Sequence, residues 1–470
     1  VNRAATFPVP EAVAFWSLGE GLGRAPDADR RKAELTATRA IQRGLREQPG
    51  GFPRLATAVL DGDFPRFATP GQSLDMLGVD AQTWGVARDP LDTFQYLIQR
   101  RQLTALRNAN LPYWAWITAA CPPSVRTAIW GQDAPPSWGT PLVQPEQVRL
   151  GVYAALMAGY RGLGYRADAE LTRPAGRALL YELAILNAEI DLVEPILAKG
   201  TDPIPVLPAF RPDPPALMMP LAGMNPNSML SNPSLTGSGG GTPGVLPNLK
   251  KPPGEVPPHP TIRAAAISTR DNRGRLLLVA DLAAGAQWQP PQMALNNLNV
   301  VVPGAQDDAQ AFVLSFGGVQ VLDQEHRKRQ PGGLRLTLEE FDTTAMILLT
   351  TDFAQTERLK KAIQAVRPRA VDLAIKRAQL EMEWVADING RLARDNHPAP
   401  QAADFLALAG RSLQSALDAQ AREDYPLAWD EARRVLRPLR MLMREHFDQA
   451  VAELTAAAQA STRTQPSPGT

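Results

Sequence analysis

Short apolar runs and longer amphipathic stretches take turns along the first 200 residues. The runs 12–18 (AVAFWSL), 54–60 (RLATAVL), 74–80 (LDMLGVD), 111–119 (LPYWAWITA) and 161–165 (RGLGY) have strand length, and most run into turns of glycine, acid or polar residues. Between them, residues 28–47 set Leu35, Ile41 and Leu45 at helical spacing. Residues 91–107 do the same with Phe94, Leu97, Ile98 and Leu103, and a later run with Val148, Val152 and Leu156. Residues 177–197 close the series, with Leu180, Leu183, Ile185, Leu186 and Ile190 on one face. Strand and helix alternating about every 30 residues predict parallel βα units. Five strands are legible and eight close a (β/α)8 barrel. The pattern therefore predicts the C-terminal part of a TIM-type barrel over residues 1–199, with the first three strands upstream of Val1.

At residue 200 the pattern breaks. Sixteen of the 44 prolines fall in 200–260 beside Gly237-Ser238-Gly239-Gly240-Gly241, so this stretch reads as a disordered linker without a core of its own. Residues 261–352 return to short apolar runs (IRAAAIS, RLLLVAD, LNVVVP, AFVLSF, GVQVLD, LRLTLEEFD, AMILLTT) separated by turns such as Asp271-Asn272-Arg273-Gly274, the signature of an antiparallel β-sandwich. The basic run His326-Arg327-Lys328-Arg329 reads as a solvated hairpin loop. Residues 353–460 carry three apolar stripes at helical spacing and predict a helical bundle, with Pro368 and Pro438 expected to kink or interrupt their helices. Residues 461–470 form a polar tail. The fold class predicted is multi-domain: α/β, then all-β, then all-α.

Composition narrows the function classes. The formal net charge is +1, so no global field favours nucleic acid. No apolar run approaches the roughly 20 residues of a membrane span. Cys121 is the sole cysteine, so no intrachain disulfide forms. The four histidines are scattered over linker, sandwich and bundle without ligand spacing, and no metal or other cofactor is expected. No signal segment follows Val1.

Four segments resemble a known family. AVAFWSLGEGLG looks like the fourth barrel strand of the (β/α)8-barrel glycoside hydrolases that carry an appended β-sandwich. PYWAWITAACP looks like their seventh strand, and EQVRLGVYAALMAGYRGLGYRADAEL like their seventh helix, eighth strand and following loop. GGLRLTLEEFDTTAMILLTTD looks like the closing strands of the sandwich. The resemblance covers roughly residues 1–352 and leaves out the C-terminal bundle. It implies a carbohydrate ligand, and it puts Glu20 at the acid/base position. Two departures stand out: Gly19 replaces the usual Asn before that Glu, and LPYWAWITAAC has no acid where the nucleophile belongs.

The candidate residues follow. Glu20 ends a strand as a general acid would, with Arg24 near it in sequence as an alternative ion-pair partner. Asp61 and Asp63 flank Gly62 after a strand, a spacing that suits sugar hydroxyls, a divalent cation or a plain turn. Trp84, Trp114 and Trp116 fall at or near strand ends, where a ring can stack on a pyranose or fill the core. Alternation points Trp114 and Trp116 to one side. Tyr165 and Asp168 are rim residues of the last strand. Two readings follow: a glycosidase-type carbohydrate-active protein, or a non-catalytic carbohydrate-binding or scaffolding protein of the cell envelope whose bundle docks a protein partner. Either is expected to be secreted, periplasmic or in the cell envelope.

Overall fold

The computed structural model describes residues 15–47, 55–62, 67, 74–81, 89–106, 108, 111–132, 143–167, 171, 176–206, 208–210, 261–283, 294–306 and 308–463. Its first unit holds five parallel strands: β1 (Phe15–Ser17), β2 (Leu55–Leu60), β3 (Met76–Asp80), β4 (Tyr113–Thr118) and β5 (Gly162–Arg166). They pair in chain order, each new strand joining the same edge. A doubly wound sheet would reverse direction at a switch point, whereas a barrel does not. The unit is a parallel half-barrel.

Its described helices are α1 (Ala28–Arg46), α2 (Pro90–Ala105), α3 (Pro123–Trp130), α4 (Pro145–Met157) and α5 (Arg177–Lys199). Local chemistry fixes their starts. Asp27 accepts from the amides of Asp29 and Arg30, and Asp89 accepts from Asp92 N with Pro90 as the first helical residue. Every residue of α4 except Gln147 and Gly151 is buried. The reason is that α4 has neighbours on both sides, the half-barrel sheet on one and the next domain on the other.

That domain is an antiparallel sandwich. Its strands are β6 (Ile204–Val206), β7 (Pro208–Phe210), β8 (Ile262–Ser268), β9 (Gly274–Asp281), β10 (Leu295–Val302), β11 (Gln310–Ser315), β12 (Gly318–Leu322), β13 (Arg327–Gln330), β14 (Gly333–Phe341) and β15 (Thr344–Thr350). One sheet runs β13-β14-β10-β7 and the other β12-β11-β15-β9-β8-β6. Leu277, Val279, Leu298, Val300, Leu336 and Ile347 fill the space between them. The other face of the six-stranded sheet, with Leu276, Leu278, Met346 and Leu348, joins the same core as Val148 and Val152 of α4. Burial on both faces explains the unbroken apolar run LLLVA in β9. Each such leucine contributes roughly 1.5–3 kcal/mol.

Two expectations from the sequence fail here. Residues 204–206 and 208–210 are not linker but add a short edge strand to each sheet. Their prolines, Pro205 and Pro208, suit edges because an edge strand leaves some amides outside the ladder. The rest of the Pro-rich stretch, 211–260, lies outside the described residues. The basic run is not a loop either, since Arg327–Gln330 is edge strand β13 on β14. Charged side chains on an edge discourage further pairing.

The last unit comprises α6 (Phe353–Arg394), α7 (Ala402–Ala421) and α8 (Tyr425–Arg463). Neither Pro368 nor Pro438 interrupts its helix. Packing of one side of each helix against the rest of the chain offsets the lost hydrogen bond. Val371 and Ile375 of α6 share a cluster with Trp429 of α8, Ile185 of α5 and Phe316 of the sandwich, so one side of these helices is buried within the chain. A buried ion cluster reinforces the junction. Arg149 of α4 donates to Glu182 at 2.5 Å and to both oxygens of Glu189 at 2.8 and 3.1 Å, all within α4 and α5. Arg377 of α6 donates to Glu182 and Glu146, and Arg440 of α8 to Asp342 after β14. Among the described residues no helix is long and apolar enough to cross a membrane.

Candidate functional site at the half-barrel mouth

Register sorts the half-barrel residues by face. Val59, Gly78, Trp114 and Gly162 lie in one cross-strand row, and Asp80, Trp116 and Gly164 in the next. Ile117, on the other face of β4, meets Gly151 of α4, so the tryptophans point away from the helix layer. Their neighbours make room for the rings. A Cβ at Gly78 would come within 2.6 Å of the Trp114 ring, and one at Gly164 within 2.6 Å of the Trp116 ring. The two rings meet edge to face with centroids 5.1 Å apart, and Trp114 Nε1 donates to Thr57 Oγ1 at 2.7 Å. Phe15 of β1, with centroid 6.3 Å from Trp114, extends the aromatic strip to the first strand.

The polar part lies at the C-terminal strand ends. After β1, Val59 N donates to Gly19 O and Leu22 N to Val59 O, so pairing with β2 resumes beyond residues 20 and 21. Glu20 is thereby looped out of the ladder. Gly19 (φ 134°) and Gly21 (φ 68°) supply the backbone angles that such a loop requires. Arg166, the last residue of β5, reaches across to it. Its Nη2 donates to Glu20 Oε2 at 2.7 Å, while its Nε lies 2.7 Å from Asp80 Oδ2 in an ion pair without hydrogen-bond alignment. Burial alone would lower the Arg166 guanidinium, but the Glu20 hydrogen bond and the Asp80 charge hold it above its usual value. The guanidinium also sits 5.1 Å from the Trp116 ring centroid. Glu20 is half exposed (48%), whereas the Asp80 side chain is buried (8%).

The structure thus joins Glu20, Trp116 and Trp114 on one surface and adds Asp80 and Arg166, which the sequence reading passed over. The signal was present: Asp80 ends its strand just as an acid was sought after β1, and Arg166 stands two residues before Asp168. Asp61 lies nearby but apart, in an exposed pair with Arg24 at 3.4 Å, and Gly62 beside it touches the Gly23 backbone. Tyr165 does not belong to this surface. It alternates with Arg166, faces the helix layer, and donates to Asn187 Oδ1 at 3.0 Å, with burial pushing its hydroxyl up to about 12. Asp63, Trp84 and Asp168 lie outside the described residues. Among the described residues no group of three His, Cys, Asp or Glu side chains could hold a metal ion.

No family model and no curated protein matches the chain. Among solved structures, the arabinose complex of alpha-L-arabinofuranosidase from Thermotoga maritima is similar over 74% of this chain and 67% of its own, at 12% identity and a TM-score of 0.29. A superposition that loose carries no argument about the site.

Proposed function

We propose that the half-barrel mouth binds a saccharide without hydrolysing it. The observation behind this reading is that one guanidinium, Arg166, engages both strand-end carboxylates, Glu20 and Asp80. A glycosidase needs one carboxyl free to protonate the leaving oxygen and a second free to attack carbon or activate water. Here both are committed to the same cation, and β4 contributes no acid. What the arrangement offers instead is a polar cluster beside indole rings. Guanidinium N–H groups and carboxylate oxygens fix the orientation of hydroxyls, and aromatic surface takes the apolar face of a sugar ring.

The test is calorimetric titration with a panel of neutral and acidic oligosaccharides, run beside an assay for released reducing ends. The reading expects saturable binding to at least one glycan, weakened tenfold or more by Trp116→Ala, and no turnover. The competing hydrolase reading draws on Glu20 and Asp80 facing the same cation from strand ends two apart. Turnover by the wild type that disappears in Glu20→Gln would establish hydrolysis and overturn the binding-only reading.

A further inference from the structure

Among the described ion pairs of the half-barrel mouth, acid outnumbers base. Glu20 and Asp80 bring two carboxylates, and Arg166 is the cation between them. The next pair out, Arg24 with Asp61, adds no net charge. Arg166 is already engaged three ways, by Glu20, by Asp80 and by the Trp116 ring. An anionic sugar takes this guanidinium only by displacing one of its acids. Displacing Asp80 would strand a buried carboxylate, and displacing Glu20 would leave two negative charges beside the newcomer.

A cationic sugar meets the opposite situation. Glu20 gives one oxygen, Oε2, to Arg166, and among the described residues its other oxygen makes no hydrogen bond. The side chain is half exposed, so an ammonium reaches that oxygen without breaking the pair. Asp80, behind it, adds to the attraction. The indole rings of Trp114 and Trp116 act in the same direction, because an aromatic face attracts cations and disfavours anions. Thr118 pairs in register with Arg166 and stands two residues beyond Trp116, on the same face of β4. It supplies a half-buried hydroxyl that can both donate to and accept from a sugar hydroxyl.

We infer that the saccharide bound at this mouth is cationic: a deacetylated amino sugar, with its ammonium on Glu20 and a ring face against the indoles. The inference rests on the reading of the mouth as a saccharide site and adds the sugar class to it. Three sugars separate by charge alone. The free amine gains from the excess carboxylate, its N-acetyl derivative has lost the charge, and a uronate carries the opposite one. A single charge–charge contact at a half-exposed carboxylate accounts for a preference of about tenfold at low salt, which shrinks as salt is added.

The experiment is calorimetry on the whole chain at low salt with four oligosaccharides of equal length: a β-1,4-linked glucosamine oligomer, its fully N-acetylated form, the matching glucose oligomer and a uronate oligomer. The glucosamine oligomer should bind about tenfold more tightly than the acetylated and glucose forms, and the uronate most weakly. In Glu20→Gln the ratio of glucosamine to glucose affinity should collapse towards one. The wild type offers the same test without a substitution, since raising the pH until the amine is neutral should erase the advantage of the glucosamine oligomer over the glucose oligomer. Equal binding of the amine and its acetylated form, a preference that survives Glu20→Gln or amine deprotonation, or tightest binding of the uronate would each overturn the inference and leave the saccharide reading standing. If none of the four binds and no other glycan does, the saccharide reading itself fails and the inference falls with it.

Discussion

Arg377 Nη1 of the C-terminal helices donates to Glu182 Oε2 of the half-barrel at 2.5 Å, across 195 residues of chain, with both side chains buried. The contact makes α6 part of the packing of the half-barrel rather than an appendage. Glu182 serves two arginines at once, since Arg149 takes its other oxygen. Its own ionisation reflects this. Burial would raise the carboxyl, but Arg149 and Arg377 hold it below its usual value.

Removing one partner of such a pair leaves a buried charge without compensation, at a cost of about 3–5 kcal/mol. Arg377→Met is therefore expected to lower the urea midpoint, followed by circular dichroism. Adding Glu182→Gln should cost less than the two single changes predict, because the second change removes a charge that the first left with only one of its two arginines. Strict additivity of the two would mean that the pair is not coupled.

Glu381, one turn beyond Arg377, is expected to make stability depend on pH. Burial, then the charge of Glu146, pushes its carboxyl from 4.5 up to about 7. The folded chain thus keeps a proton that the unfolded chain gives up across that window. Stability should fall as pH rises from about 4.5 through about 7, with the loss complete above it. Glu381→Gln mimics the protonated form, so its thermal midpoint should gain on the wild type as pH rises through this window. A difference between the two proteins that stays constant with pH would remove Glu381 from the account.

The half-barrel strands were legible because each is an apolar run bounded by turns, and local pattern alone decides that. The three-residue strands β6 and β7 were not, since Ile204–Val206 and Pro208–Phe210 are too short to show alternation and lie in a proline-rich setting. Strand β13 was hidden by its charge, for RKRQ becomes a strand only by pairing with β14. At the mouth, Glu20 was visible as a strand-end acid. Its commitment to Arg166 is a contact across 146 residues that no local pattern encodes. The ion cluster at α4 left only a faint trace: Glu146 and Arg149 stand in an otherwise apolar helix, which signals buried partners without naming them.

Gly164 tests the half-barrel face directly. A Cβ there would lie 2.6 Å from Trp116 Cζ3 and 2.7 Å from Cε3, in the body of a rigid ring. Gly164→Ala must displace Trp116, at a cost on the order of 1–3 kcal/mol for an overpacked site. It should also weaken glycan binding at the half-barrel mouth and shift tryptophan emission. An unchanged emission spectrum would show that the ring does not lie against Gly164.

His326 supplies a pH dependence of the opposite origin. Its Nδ1 lies 2.7 Å from Asp323 Oδ1 and its Nε2 2.8 Å from Glu339 Oε1, so the protonated ring ties the loop before β13 to β14. The Asp323 hydrogen bond leads, burial opposes it, and the net shift holds the imidazole above 6.5. A raised value means that the stabilisation is fully present below about pH 6.5 and is lost as pH rises through the folded value. The site is exposed, so the effect is small and should shrink with added salt. An NMR titration should place the His326 midpoint above that of a free histidine, and Asp323→Asn should bring it down. An identical midpoint in the variant would mean that Asp323 does not hold the proton on His326.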